Sequence, residues 1–349
     1  MLAAKVPLKM GEKARRLLAD QGVLAKGVEF KATKDSLLLP ITSRAFKLPF
    51  PSSTTTASFK TASRPLPLKE LLANEGFTKK QLETLVSSFD SIGDVAIVQI
   101  PDELLKKKKT IAKALLASNP RFKTVARQTG ALEGEYRTTP LEIIGGEKRT
   151  ETVYRESGCS FRLDVSKVFF SPRLSFERER IAKLVKKGEK VLALFAGVGP
   201  YPIVIAKKQP AARVVAVELN PAAVKYMRAN VAANRVTIEV IEGDVNKVVP
   251  AKFKRWADRI TMPLPHTGED FLDAALAGAA KGCAIHFYGF GPSRDETTKE
   301  PLDPAAPLLA KIKAACARNK RKYKVVSTRV VRPYAPFVVQ SVVDFRVLN

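Results

Sequence analysis

The sequence predicts an α/β fold, a Rossmann-like doubly wound parallel sheet preceded by smaller α/β modules. Three observations carry this reading. The run Val191-Leu-Ala-Leu-Phe-Ala-Gly-Val-Gly-Pro200 reads as a buried strand entering a glycine turn and then a helix. Val214-Val-Ala-Val-Glu218 reads as a second buried strand with an acid at its tip. Near the C-terminus, Tyr323–Arg329 and Phe337–Val347 are rich in β-branched residues and read as antiparallel strands joined by Pro333-Tyr-Ala-Pro336.

Taken in order, residues 1–50 alternate a basic helical stretch, Gly11–Gln21, with short apolar segments at Val28–Phe30 and Ser36–Leu39, which suits a small α/β module. Ser43–Pro67 is rich in Ser, Thr, Ala and Pro without a sustained period, and 51–67 is taken as a linker. Residues 68–165 form a middle module with strands at Val95–Ile100 and Leu141–Ile144. Between them lies a basic helix, Asp102–Ser118, containing Lys106-Lys-Lys-Lys109. Residues 166–349 hold the doubly wound domain, with a third strand at Thr237–Ile241, a helix at Glu269–Ala280 and a strand at Ala284–Tyr288. No internal repeat is present.

The glycine turn suggests a ligand. Gly197 and Gly199 allow a sharp bend and a close approach of backbone to ligand. Glu218 lies about 20 residues beyond the turn, where an acid accepts hydrogen bonds from both ribose hydroxyls. A dinucleotide site wants a third glycine where Pro202 stands, and a phosphate loop wants Gly-Lys-Ser/Thr where Pro200-Tyr-Pro202 stands. The pattern suits S-adenosylmethionine, which carries no phosphate, and hence a class I S-adenosylmethionine-dependent methyltransferase fold. Asp244, after the third strand, is placed to accept from the adenine amino group.

The 349 residues carry a formal net charge of +26 and a pI of about 10.0, the footprint of a polyanionic partner. No stretch has 18 consecutive apolar residues and no signal-like segment opens the chain, so a soluble, cytoplasmic protein without a membrane partner is expected. Three widely spaced cysteines and two histidines, His266 and His286, show no metal-ligand spacing. Cys283 and His286 fall in a buried strand and suit packing. A basic chain with a methyl-donor fold points to a nucleic-acid methyltransferase.

Phe169-Phe-Ser-Pro-Arg-Leu-Ser-Phe-Glu-Arg178, the Phe-Ala-Gly-Val-Gly-Pro turn and Val217-Glu-Leu-Asn-Pro221 together resemble the archaeal and eukaryotic tRNA (guanine-N1)-methyltransferase family. The resemblance spans nearly the whole chain. Lys5-Val-Pro-Leu-Lys9 with Lys13–Leu24 resembles the family's small tRNA-contacting domain. Ile92-Gly-Asp-Val-Ala-Ile97 and Gly134-Glu-Tyr-Arg137 resemble its middle RNA-binding domain. The resemblance implies methylation of guanosine 37 of tRNA at N1 by a monomeric enzyme. Phe195, Gly197, Gly199, Pro200, Glu218 and Leu219, with Asp244, Val245 and Pro263, would surround the cofactor. Arg173, Arg178, Phe169, Tyr136 and Pro265 would meet the substrate.

Guanine N1 carries a proton at neutral pH, so a base must take it, and a cation must meet the charge that grows on O6. By resemblance, Glu177 is the general base and Arg137 the donor to O6. Read without the family, Glu177-Arg-Glu-Arg180 is equally a solvated helix start. Tyr136 and Phe169 could stack on an extruded base or pack in the core. The lysine run could bind RNA backbone or face water, and His266 is an incidental loop residue. Two positions depart from the family. Ala193 stands where an acid is common, and Pro263 stands where an amide would help position guanine, leaving that task to backbone carbonyls and Arg137. Two other functions fit the same fold: transfer of the aminocarboxypropyl group in wybutosine synthesis, or tRNA binding with weak catalysis.

Overall fold

The computed structural model describes residues 1–25, 28–60, 66–86, 89–130, 134 and 136–349. The chain packs as two units, Met1–Glu70 and Leu71–Asn349. In the first, β1 (Leu2–Pro7), α1 (Gly11–Asp20), β2 (Lys31–Ala32), β3 (Ser36–Pro40) and β4 (Ser53–Thr56) build an antiparallel sheet in the order β2-β3-β1-β4. Ala14 and Leu18 of α1 pack on Val6, Leu39 and Ile41, while Lys13 and Arg16 stay exposed. β4 falls inside the expected linker. Its hydroxyl side chains show no apolar alternation, but threonine suits a strand, and pairing with β1 from Leu2↔Thr56 to Lys5↔Ser53 orders it. Residues 61–65 of that stretch lie outside the described residues.

α2 (Leu68–Asn74) and α3 (Lys79–Val86) lead into the second unit. There β5 (Phe89–Ile92), β6 (Val95–Val98), β7 (Thr124–Gln128) and β8 (Leu141–Gly146) form a sheet in sequence order. The expected basic helix is a 3-10 turn, Asp102–Lys107, that continues as α4 (Lys108–Ser118). Its lysines are partly engaged: Lys108 Nζ lies 2.6 Å from Glu142 Oε1, and Lys107 sits over the Phe77 ring. A hairpin that the sequence reading misses, β9 (Glu151–Glu156) with β10 (Cys159–Asp164), follows.

The remaining elements are α5 (Ser175–Leu184), β11 (Lys190–Leu194), α6 (Pro200–Lys208), β12 (Arg213–Glu218), α7 (Pro221–Asn234), β13 (Glu239–Glu242) and α8 (Val245–Lys252). They continue with β14 (Ala257–Met262), α9 (Leu272–Gly278), β15 (Ala279–Pro292), α10 (Ala306–Arg318), β16 (Tyr323–Ala335) and β17 (Val338–Val347). Among the described residues they form a seven-stranded sheet, β13-β12-β11-β14-β15-β17-β16, parallel from β13 to β15 and antiparallel thereafter. Leu192, Val215 and Ile260 face α8, α9 and α10, while Val191 and Val214 face α5 and α6. Both faces are covered, which is why these strands read as continuous apolar runs.

The second unit is continuous across 165/166, where a domain boundary was expected. Ile92, Val95 and Ile97 share one core with Leu163, Val168, Val198 and Ala223. Two asparagines one turn apart on α7 hold the hairpin against the large sheet. Asn230 accepts from the Arg162 N–H (2.7 Å) and donates to its carbonyl (3.0 Å), and Asn234 does the same at Ser160 (2.8 and 2.7 Å). The α7 pair thereby imitates a strand edge for β10.

A polar chain crosses the sheet: Glu177, Arg180, Asp344, His286, Arg259 and Glu189. Arg259 can only donate, so His286 Nε2 accepts from it at 2.8 Å and His286 Nδ1–H donates to Asp344 at 2.7 Å. His286 is therefore neutral, in line with burial, which lowers its pKa. Burial works against the Asp344 carboxylate, yet the His286 and Arg180 contacts hold its pKa well below the usual aspartate value. Its contribution to stability is then full at neutral pH and is lost as pH falls from about 3.9 toward the depressed folded value. Asp344→Asn should cost about 3 kcal/mol in urea unfolding at pH 7, with the deficit shrinking as pH drops below about 3.9. A constant deficit at every pH would remove Asp344 from this role.

Candidate active site

Strand order reverses between β11 and β14, and the crevice outside the carboxyl ends of these strands is where open α/β sheets bind ligands. A cavity of about 480 Å³ lies there, lined from β11 to β14 by Phe195, Gly197, Glu218, Leu219, Asp244, Val245 and Pro263. Phe195 stands edge-on to Phe271 at 4.8 Å. Gly197 (φ +56°) and Gly199 (φ +92°) make the turn into α6. They do different work. Gly197 faces the cavity, whereas a Cβ on Gly199 would lie 2.8 Å from Ile203 and 3.0 Å from Met227. Gly199 therefore closes α6 onto α7, and Pro200 serves as the first helical residue; neither lines the cavity.

Glu218 clasps the turn. Its Oε2 accepts from Gly197 N–H at 2.7 Å and its Oε1 from Asn220 N–H at 2.8 Å. Each carboxylate oxygen keeps a second lone pair for a ribose hydroxyl. Burial raises the Glu218 pKa, and the backbone N–H groups oppose it. Asp244 caps α8 by accepting from Asn246 N–H at 2.9 Å, and Asn220 caps α7. Pro200 removes an N–H from the start of α6, so this turn is poor at holding phosphate. An acid, a close glycine and an apolar floor fit an adenosine moiety.

The other wall comes from Tyr136, Arg137, Phe169, Pro265 and His266, with Arg332 and Tyr334 of β16. Phe169 and Tyr334 are each 46% exposed, large aromatic faces at the mouth. Arg137, at φ +52°, donates from Nη2 to Thr267 Oγ1 at 3.4 Å. Burial lowers its pKa, and among the described residues no carboxylate pairs with it. His266 lies 4.6 Å from the Phe290 ring and 3.3 Å, through Nε2, from the Tyr334 hydroxyl. Burial first, then the Arg137 charge, lowers its pKa, which keeps it a neutral imidazole.

Glu177 and Arg178 are elsewhere. Glu177 is 0% exposed: Arg180 Nε donates to both its oxygens (3.0 and 3.1 Å), Tyr288 Oη donates to Oε2 (2.8 Å), and Arg329 Nη2 stands 3.7 Å away. Arg178, 2% exposed, forks onto Glu156 (2.5 and 2.7 Å) and donates to the Ser171 carbonyl. Neither lines the cavity: α5 turns this edge inward, onto the sheet and the β9–β10 hairpin. Arg173 pairs with Asp90 at 2.7 Å and lines a neighbouring cavity. Glu135, within Gly134–Arg137, lies outside the described residues. The sequence reading missed Arg332, Tyr334, Phe290 and Phe271. Pro333-Tyr-Ala-Pro336 was taken as a joint, but β16 runs on to Ala335 and carries Arg332 and Tyr334 to the cavity. Among the described residues no helix is long and apolar enough to cross a membrane, and no His/Cys/Asp/Glu group could hold a metal.

Residues 152–326 match the TRM5/TYW2 methyltransferase domain, 68–150 the TYW2 N-terminal domain and 3–48 the tRNA methyltransferase 5 N-terminal domain. The chain is 39% identical to the tRNA (guanine(37)-N(1))-methyltransferase Trm5b of Pyrococcus abyssi, over 99% of each chain. Among solved structures it is similar to aTrm5 in complex with tRNALeu (29% identity, TM-score 0.68, 100% of both chains). It is also similar to Methanocaldococcus jannaschii Trm5 in complex with adenosine (28% identity, TM-score 0.65, 100% of both chains).

Loss of the Glu218 acceptors should weaken nucleoside binding by about 10- to 100-fold, the worth of one or two hydrogen bonds to a charged group. Titration calorimetry of Glu218→Ala with S-adenosylhomocysteine tests this, and Glu218→Gln, which keeps one acceptor, should lose less. Wild-type affinity in the alanine variant would move the ribose away from Glu218.

Proposed function

The chain belongs to the TRM5/TYW2 methyltransferase family, and on that premise we propose that it transfers the methyl group of S-adenosylmethionine to N1 of guanosine 37 in tRNA. One observation carries the reading: a single cavity joins the Glu218–Gly197 clasp to a wall holding exposed aromatic rings and the Arg137 guanidinium, which has no carboxylate partner among the described residues. The net charge of +26 suits a tRNA partner. The cofactor, when bound, supplies an electrophilic methyl carbon; the residues supply position, charge and proton transfer. Glu218, Asp244 and Phe195 hold the nucleoside end. Phe169 stacks on the extruded guanine, with Tyr136 and Pro265 at its rim. Arg137 donates to O6 as N1 loses its proton, with water thinned around it so that the charge counts for more.

Glu177 is proposed as the acceptor of that proton. From its buried position this requires the carboxylate to release the Tyr288 hydroxyl and the Arg180 Nε–H and turn toward the cavity, leaving Arg180 paired with Asp344. The one specific competitor is His266, a neutral imidazole already at the cavity wall. The N-terminal unit, with its exposed basic face on α1, is proposed as a tRNA reader. Methyl rather than aminocarboxypropyl transfer is favoured because the match to a relative named for N1 methylation runs the full length of both chains, and product mass separates the two.

In single-turnover assays with a G37 transcript, Arg137→Ala should slow methyl transfer about 10²- to 10³-fold and Glu177→Gln at least about 10²-fold. Cofactor affinity should be unchanged in both, and His266→Gln should stay within a few-fold of wild type. If His266→Gln carries the loss and Glu177→Gln does not, the base is His266. Deleting residues 1–60 should weaken tRNA binding while leaving cofactor binding intact; undiminished tRNA affinity would end the reader assignment.

A further inference from the structure

A second cavity of about 490 Å³ abuts the first, and the two share four residues: Arg137, Phe169, Arg332 and Tyr334. Beyond that wall it is lined by Phe170 and by polar groups from the middle sheet, among them Gln128 and Thr139. Its size falls in the range of small-ligand sites. The shared wall carries two guanidiniums with no ion-pair partner of their own among the described residues. Arg332 donates to the amide oxygen of Gln340 at 3.0 Å and Arg137 to the Thr267 hydroxyl, and among the described residues neither guanidinium is paired with a carboxylate. Asp90, which also lines this cavity and offsets part of the Arg332 charge, is hydrogen-bonded by Arg173. Burial, and for Arg332 the nearby Arg173 charge, lowers the pKa of both guanidiniums. Two half-buried cations on one partition are costly unless an anion comes to sit there.

In a strand of RNA the anion that lies between two bases is the phosphodiester joining them. We infer that the second cavity receives the nucleoside adjoining the target guanosine, with the intervening phosphate held between Arg137 and Arg332. This rests on the first cavity being the guanosine site. A guanidinium has five N–H donors, so Arg137 can meet O6 and still offer donors to the phosphate. Phe169 and Tyr334, exposed on the partition, present rings to the splayed bases, and stacking of that kind accepts any base. Extruding two nucleotides rather than one makes the neighbour part of the recognised unit.

The experiment is single-turnover methyl transfer on G37 transcripts in which the base 5′ or 3′ of the target is replaced by an abasic site. Wild type should lose on the order of tenfold in rate at subsaturating RNA with one of the two abasic substrates, the worth of one stacked base. Thr139→Trp, which fills the second cavity alone, should show the same loss on intact RNA and no further loss on that abasic substrate, with cofactor affinity unchanged. Equal wild-type rates on intact RNA and on both abasic substrates would overturn the inference, whatever the variant does. No methyl transfer by wild type to any intact transcript would instead overturn the reading on which it rests.

Discussion

The reversal of strand order between β11 and β14 governs the rest of this molecule. Two neighbouring parallel strands whose chains leave in opposite directions cannot have their exits covered by the same connection, so a crevice opens at their carboxyl ends. Strand ends deliver much of the site to that crevice: Phe195 from β11, Glu218 from β12, Pro263 from β14, Phe290 from β15 and Tyr334 from β16. Glu218 then fixes the crevice in shape. By accepting from Gly197 and Asn220 it ties the tip of β12 to the turn after β11, so the cofactor side is preorganised.

The substrate side depends on a different device. β16 and β17 extend the parallel core as an antiparallel pair, and their inner face carries polar groups into the sheet. Asp344 on β17 meets His286 on β15 and Arg180 on α5, and Arg180 in turn holds Glu177. A fully partnered chain of this kind specifies one register for the strands that bear it, because a one-residue slip would leave each charge without its mate. The register of β16 on β17 is what sets Arg332 and Tyr334 at the cavity. Network and wall are therefore one construction, and the burial of Glu177 belongs to it.

The cofactor half of the site was legible in the sequence because its chemistry is local. A strand, a glycine turn and an acid at the next strand tip lie within about 30 residues, a single βαβ unit. Phe195, Gly197 and Glu218 belong to that pattern, Asp244 follows the next strand, and all four line one cavity. The substrate half is assembled from Arg137, Phe169, His266 and Arg332, which only tertiary packing brings together. Arg332 precedes, and Tyr334 lies between, the prolines of a segment that reads as a turn, and the bulged pairing with β17 is what makes it strand. The burial of the helix edge bearing Glu177 and Arg178 is hidden for a related reason: its charges read as solvated or catalytic, and neither reading anticipates a hairpin that supplies Glu156 to pair with Arg178. β4 was lost because an all-hydroxyl strand has no hydrophobic period to show.

Pro263 marks where these halves meet. An amide there could pair with a purine edge; proline offers no side-chain donor and no N–H. In its place the cavity has a cluster of rings, His266, Phe290 and Tyr334, with centroids 4.1 to 5.6 Å apart. Such a cluster packs as an apolar face with no donor or acceptor pattern specific to one purine. On the proposed chemistry, discrimination between guanine and adenine then falls to Arg137. A guanidinium has only donors: it meets the O6 acceptor of guanine, while adenine would set an amino donor against it and leave a half-buried cation unmatched. A site that has to bury an unsatisfied polar group rejects an analogue far more strongly than a site that merely lacks one contact. The loss of the amide is thus compatible with strict guanine selection, because the discriminating group is the one that also bears the charge developing on O6.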